Sequence, residues 1–296
     1  MSSQKAVRAA RDGSYHDVIE FVGEPGAQML TTTHLPVGTP VAGLVVCSSL
    51  RAEFETNYRR EILLGRTLAA AGIAVRRFQY LGTGNSDGET RAVTFDQMVA
   101  DAERATGAFL ESTGLERIAF MGTRLGGTIA AAAAASRDGA PVVLWEPVVE
   151  VVRYYRQIFR ARKMWVLGGS DEIQTETATA EFERTGFLDI VGYPIDRNLY
   201  DSAIGHDVAG ELTGARRVLV VQMGGRHGLK REYAALGAAK ESEGYIVTSE
   251  VVDEDESWWL EHPGERQEKR TMNSSPAIDA TVTWLKSWAS GAEVAA

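Results

Sequence analysis

The strongest candidate for a functional motif is the segment R-I-A-F-M-G-T-R-L-G-G, from Arg117 to Gly127. An apolar run ends at a glycine, and a glycine pair opens an alanine-rich stretch, so the segment predicts a strand, a sharp turn and a helix. The spacing is that of the turn G-x-S-x-G, which presents a nucleophile at a helix N-terminus. The central residue here is Arg124, flanked by Thr123 and Leu125. We expect the Leu125 N–H to face a bound oxygen atom.

Arg124 cannot act as a nucleophile, because its guanidinium group stays protonated. Two roles are open to it. In a structural role, its charge is paired with a carboxylate, for which Glu146, at the end of the neighbouring predicted strand, is the best candidate. In a functional role, it holds a carboxylate, a phosphate or a thioester carbonyl, helped by the helix N-terminus. The two roles are compatible.

Other candidate residues follow the predicted strands, where an open parallel sheet collects its ligands. Ser48 and Ser49 come directly after the apolar run Val41–Cys47. Either serine could be a displaced nucleophile or a binding residue, although serines at such positions commonly cap backbone groups. His227 lies in Gly224–Gly228, a stretch without a carboxylate. It is either a second residue that contacts an anionic ligand or a solvent-exposed residue of a turn.

The last polar loop contains His262, a candidate general base whose ordinary alternative is an exposed loop residue. Glu146 is the alternative catalytic base if burial raises its pKa. Trp258, shortly before His262, is included among the predicted binding residues.

Composition excludes several classes of protein. The 296 residues carry 31 Lys and Arg against 40 Asp and Glu, a net charge of −9, which argues against binding of nucleic acid or of an anionic membrane surface. The single cysteine, Cys47, excludes a disulfide framework and a cysteine zinc site, and we predict neither a metal nor a cofactor. No apolar run approaches the length of a membrane span, so we expect a soluble cytoplasmic protein. The turn Gly82–Gly84 lacks the third glycine of a dinucleotide site.

Hydrophobic periodicity predicts a mostly parallel sheet flanked by helices. An antiparallel hairpin precedes alternating strands and helices, and residues 1–14 are expected to be irregular. The predicted strands are His16–Val22, Gln28–Thr33, Val41–Cys47, Ile73–Tyr80, Arg117–Met121, Val142–Trp145, Val218–Met223 and Tyr245–Asp253. The predicted helices are Arg59–Ala71, Phe95–Ser112, Leu125–Ser136, Val149–Lys163, Ile173–Arg184 and Ser275–Ser287. Residues 148–214 are expected to form a helical cap inserted into one continuous domain, whose core comprises residues 1–147 and 215–296.

With these elements in place, the chain resembles the α/β-hydrolase superfamily over roughly residues 15 to 290. The turn L-G-T-G-N-S-D-G, Leu81 to Gly88, resembles the family's G-x-G-x-S-x-G turn. The segment L-W-E-P-V-V, Leu144 to Val149, is most similar to the exosortase-A-system-associated hydrolase-like proteins. The resemblance implies an α/β-hydrolase fold whose turn serine is replaced by arginine.

Three functions are compatible with this sequence. The first is a protein that binds a small acyl, ester or carboxylate ligand and acts by unusual chemistry or as a non-catalytic partner. The second is a genuine ester or thioester hydrolase, or an acyltransferase, with relocated catalytic residues. The third is an interaction module. The partner expected is a small-molecule or acyl-chain ligand, and a homodimer is possible.

Overall fold

The computed structural model describes residues 5–167, 177–190, 192–224, 228–254 and 275–291. The strands are β1 Lys5–Ala9, β2 Tyr15–Val22, β3 Met29–Pro36, β4 Ala42–Cys47, β5 Ile73–Phe78, β6 Ile118–Thr123, β7 Val142–Trp145, β8 Phe187–Ile190, β9 Tyr193–Asp196, β10 Arg217–Met223 and β11 Ile246–Val252. The helices are α1 Arg51–Ala70, α2 Phe95–Thr113, α3 Leu125–Ala135, α4 Val151–Leu167, α5 Ala178–Thr185, α6 Arg197–Ala203, α7 Val208–Glu211, α8 Arg231–Ser242 and α9 Pro276–Ala289.

A nine-stranded sheet in the order β1-β2-β3-β5-β4-β6-β7-β10-β11 forms the centre of the fold. In this order, neighbours from β1 through β2 and β3 to β5 pair antiparallel, and neighbours from β5 through β4, β6, β7 and β10 to β11 pair in parallel. Because parallel strands are buried on both faces, β4, β6 and β7 are wholly buried, as their continuous apolar runs predict. The predicted mostly parallel sheet is confirmed.

Helices cover both faces of this sheet and create two hydrophobic layers. On one face, side chains of α2, α3 and α8 such as Phe109, Ile129 and Leu236 pack against the strands. On the other face, α1 and α9 contribute side chains such as Leu64 and Leu285. Helix α9 begins as predicted, with the Ser275 hydroxyl capping the Ile278 N–H and a proline in the first turn.

Three expectations about the elements were wrong. Helix α1 begins at Arg51, eight residues before the predicted start. Residues 5–9, expected to be irregular, form the edge strand β1, which is exposed along its length and so lacks the alternation that marks a half-buried strand. The segment 148–214 contains the expected helices, but the expectation that it has no strand is wrong, because it also contains the hairpin β8–β9.

The inserted segment lies between β7 and β10 in the chain. In its described part, β9 packs against α1, α6 against α2 and α7 against α3, while α4 and α5 pack against each other. None of the helices in the described ranges combines the length and apolarity that crossing a bilayer requires.

Candidate functional site

The turn between β6 and α3 has the sharp backbone that the sequence predicts. Arg124 adopts φ 54° and ψ −124°, a conformation that L-residues rarely occupy. A side chain at Gly122 would overlap the Gly126 carbonyl, and one at Gly126 would overlap the carbonyl of Cys47. Both glycines are therefore needed because the strand end and the helix start approach so closely.

The guanidinium group of Arg124 is held by two acceptors. Its Nε donates to Glu53 Oε1 at 2.9 Å, and its Nη1 donates to the backbone carbonyl of Glu146 at 2.9 Å. Glu53 lies in the first turn of α1. The Arg124 and Glu53 side chains are only 11% and 4% exposed, so this is a buried ion pair.

The expected ion pair between Arg124 and the carboxylate of Glu146 is not formed. The Glu146 carboxylate accepts from the Met223 N–H at 2.7 Å, from Lys230 Nζ at 2.6 Å and from the Tyr233 hydroxyl at 3.0 Å. Glu146 itself has φ 44°, which directs its carbonyl and its carboxylate to different partners. A carboxylate so fully occupied by donors is poorly suited to the predicted role of catalytic base.

Tyr154, from α4 of the insertion, extends this cluster. Its hydroxyl donates to Glu53 Oε2 at 2.8 Å, and the Arg124 guanidinium lies 5.7 Å from the centre of its ring. Burial, with the nearby charge of Glu53, raises the pKa of the Tyr154 hydroxyl well above its usual value. The hydroxyl therefore stays protonated, and both oxygens of Glu53 have donors.

Electrostatics keep Arg124 charged. Burial alone would lower its pKa, but the negative charge of Glu53 reverses the effect and raises the pKa of the guanidinium overall. Among the described residues, Arg124 Nη2 donates to no protein acceptor, and the N–H of Leu125, the first residue of α3, has none either. Two donors at the start of a helix are thus without an acceptor in the described part of the chain.

The two serines after β4 occupy different environments. The Ser48 hydroxyl donates to Glu61 Oε2 at 2.7 Å, and the hydroxyl of Thr123 lies 3.4 Å from Glu61 Oε1. Burial raises the pKa of Glu61, although the charge of Arg77 opposes the shift. Ser49 is 1% exposed, and its hydroxyl has no hydrogen-bond partner in the described part of the chain. Thr123, a predicted binding residue, is fully buried beneath the turn.

Three predicted site residues, His262, Trp258 and His227, lie outside the described residues. Across the ranges that the structure describes, no group of three His, Cys, Asp or Glu side chains is arranged to hold a metal ion. The roles assigned to Arg124, Leu125, Ser48 and Ser49 stay predictions. The fold brings these four residues together at the carboxyl ends of the neighbouring strands β4 and β6.

Sequence reasoning missed Glu53 and Lys230. A signal for Glu53 exists in the helical spacing of buried positions on α1, which continues to Leu64 and Leu68. The buried positions before Leu64 are polar: Glu53, Asn57, Arg60 and Glu61. Hydrophobic periodicity therefore predicted only the part of the helix from Arg59 onward, and Glu53 was left outside every predicted element.

Comparisons with known proteins agree on the fold. The family model described as serine aminopeptidase, S33, matches residues 41–177. The complex of ferulic acid with Est1E from Butyrivibrio proteoclasticus is 16% identical, with 90% of this chain and 96% of that chain covered at a TM-score of 0.57. Alpha/beta hydrolase domain-containing protein 10 from mouse is 12% identical, with 92% and 98% covered at 0.56. No curated protein matches the sequence. These similarities and the order of the sheet show that the chain has the α/β-hydrolase fold.

Proposed function

We propose that this protein binds a small ester-like carbonyl compound at the β6–α3 turn and does not attack it with a serine from that turn. The observation that carries the proposal is the guanidinium of Arg124 at the position of the turn nucleophile, anchored by Glu53 and by the Glu146 carbonyl. The turn keeps the strained geometry of a nucleophile elbow, but its central side chain can only donate hydrogen bonds.

The charge balance of the site favours a neutral ligand over an anion. Glu53 cancels the charge of Arg124, so a bound carboxylate would meet a neutral pair and would lose its hydration without gaining a full counter-charge. A carbonyl oxygen needs only hydrogen-bond donors. Arg124 Nη2 and the Leu125 N–H supply them, so among the ligands considered from the sequence the ester or thioester class fits better than the free acid.

The comparisons support a ligand with a carbonyl group, but not the choice of ester over acid. The matching family model is described as a serine aminopeptidase, and the structure of Est1E contains ferulic acid, which is a free acid. A carbonyl-binding turn that keeps its backbone but has lost its nucleophile would act as a binding protein, as a non-catalytic partner or by chemistry that needs only positioning.

The alternative of a relocated serine nucleophile gains little support from the described residues. The Ser48 hydroxyl is committed to Glu61, and neither Ser48 nor Ser49 is hydrogen-bonded to a histidine in the part of the chain that the structure describes. A serine without a histidine or a comparable base is a weak nucleophile near neutral pH.

Labelling with a fluorophosphonate probe tests the catalytic half of the proposal. The purified protein should show no labelled serine when its peptides are analysed by mass spectrometry, and Arg124→Ser should not acquire strong esterase activity. Labelling of any serine at this edge of the sheet would overturn the proposal in favour of a genuine hydrolase.

The binding half is tested with a variant that removes the donor without stranding a charge. Glu53→Met combined with Arg124→Met deletes the whole ion pair, and we expect it to weaken binding of ethyl 3-phenylpropanoate at least tenfold. Arg153→Met, which removes the exposed pair between Arg153 and Glu232, is the control and should leave affinity unchanged. Equal affinity in the double variant would show that Arg124 does not bind the ligand.

A further inference from the structure

A cavity of about 300 Å³ lies beside the Ser48–Leu50 segment. This volume is at the small end of the range of ligand pockets. Its walls come from the start of α1, the end of β5 and the insertion. The larger apolar side chains that line it are Leu50, Phe54, Phe78, Tyr80, Val93 and Leu199.

The wall formed after β5 is held in place before any ligand arrives. The Leu81 N–H donates to Asp101 at 2.8 Å, and the Ser86 hydroxyl donates to the Gln79 carbonyl at 2.7 Å while it accepts from the Leu30 N–H. A side chain at Gly84, whose φ is 57°, would overlap Gln79. The glycine turn seen in the sequence thus forms a preorganised wall, and preorganisation lowers the entropy cost of binding.

The polar groups of the cavity set what its occupant can be. Glu55, an exposed residue, is its only charged lining residue among those described, so no cation is present to balance an anionic ligand. The Ser49 hydroxyl is buried without a hydrogen-bond partner in the described chain. A buried hydroxyl left unsatisfied is unfavourable, and a ligand oxygen atom would relieve that cost.

From these observations we infer that the cavity binds the apolar group of an uncharged small ligand, an ester of an aromatic or short aliphatic acid, and that Ser49 hydrogen-bonds one of its oxygen atoms. This inference rests on the proposed function, because it names the class of ligand that the β6–α3 turn would bind. Phe54 lines the cavity and immediately follows Glu53 on α1, so the cavity borders the helical turn that holds Arg124, while Arg124 and Leu125 do not line it.

The insertion contributes the specificity of this cavity. Tyr193 and Pro194 of β9 and Leu199 of α6 close the side that faces the cap segment. Enlarging Leu199, which is buried, should fill the space available to the ligand without touching Arg124. Leu199 is therefore the residue with which the cavity can be tested separately from the turn.

The experiment measures binding of three ethyl esters, those of hexanoic, benzoic and 3-phenylpropanoic acid, and of the matching free acids by isothermal titration calorimetry. At least one ester should bind, and its free acid should bind at least tenfold more weakly. Leu199→Trp should reduce ester affinity at least tenfold. Asp201→Trp, at an exposed position of the same helix, should not change it.

Ser49→Ala gives an independent test, because a purely structural serine would not lower ester affinity while leaving thermal stability intact. It should lower ester affinity about tenfold while leaving the melting temperature unchanged or higher, because it removes an unsatisfied hydroxyl. Ser136→Ala, at the far end of α3, should change neither quantity.

The outcomes separate this inference from the proposed function. Loss of binding in Leu199→Trp but not in the Glu53/Arg124 double-methionine variant would support the cavity and refute the role of Arg124. Loss of ester binding in the double-methionine variant but not in Leu199→Trp would overturn the proposal that the cavity binds the ester. Binding of none of the three esters, or binding of the acids as tightly as the esters, would overturn the inference as well. Circular dichroism confirms that each variant is folded, and Leu199→Phe replaces Leu199→Trp if the larger side chain prevents folding.

Discussion

The ion pair between Glu53 and Arg124 predicts a large stability effect from a single uncharged substitution. Glu53→Gln keeps the shape of the side chain and an oxygen atom for the Tyr154 hydroxyl, but it removes the charge facing Arg124 Nε at 2.9 Å. Breaking a buried ion pair from one side costs about 3–5 kcal/mol, because the remaining charge is left without compensation. For a chain of this size, that cost corresponds to a fall in Tm of about 5–8 °C.

Urea and thermal denaturation followed by circular dichroism measure this effect. Glu55→Gln, two residues along the same helix and exposed, serves as the matched control and should change stability by less than about 0.5 kcal/mol. The double substitution of Glu53 and Arg124 by methionine should be less destabilising than the sum of the two single changes, with a coupling energy of about 2 kcal/mol or more. A Glu53→Gln variant within about 1 kcal/mol of the wild type would refute the assignment of Glu53 as the counter-charge.

Two further predictions concern the backbone of the turn and the response to pH. Gly126→Ala should destabilise the fold by more than about 2 kcal/mol, because the new Cβ would overlap the Cys47 carbonyl. Gly107→Ala, where nothing lies near the new Cβ, should instead stabilise the protein by about 0.5–1 kcal/mol through the helix propensity of α2. Urea titrations measure the free energy of unfolding of both variants. Burial lowers the pKa of His34 despite its 2.6 Å contact with Asp17, so the unfolded chain takes up this proton first and stability should be lost as the pH falls below about 6.5. This decline should be weaker in His34→Gln, and equal pH profiles for the two proteins between pH 5 and 8 would contradict the reasoning.

The sequence was sufficient to predict the sheet, because its parallel strands are continuous apolar runs that leave little ambiguity. Val142–Trp145 was located without error, and the turn at Arg124 was recognised from glycine spacing alone. Strand β1 escaped prediction because it is exposed along its whole length and carries no burial pattern. Strands β8 and β9 escaped because each is four residues long and mixes buried with partly exposed positions, without the continuous apolar run that marks β7.

The side-chain partners within the site were harder to predict than the strands and the turn that position them. Glu146 was expected to pair with Arg124 because both follow neighbouring strands, but strand order does not determine where a side chain points. The positive φ of Glu146 gives Arg124 the carbonyl and gives Lys230 the carboxylate. Glu53 comes from an element whose start was misplaced, so its proximity to Arg124 was not visible from the sequence.

The buried ion pair also restricts how this chain can change over generations. Replacing Arg124 by serine strands the carboxylate of Glu53, and replacing Glu53 first strands the guanidinium. Each first step costs stability, and only the second step recovers part of it, so the two positions are expected to change together or not at all. Return of a serine to this turn therefore requires a two-step path through a less stable ancestor, which would help to retain the arginine even in a lineage that gained nothing from it.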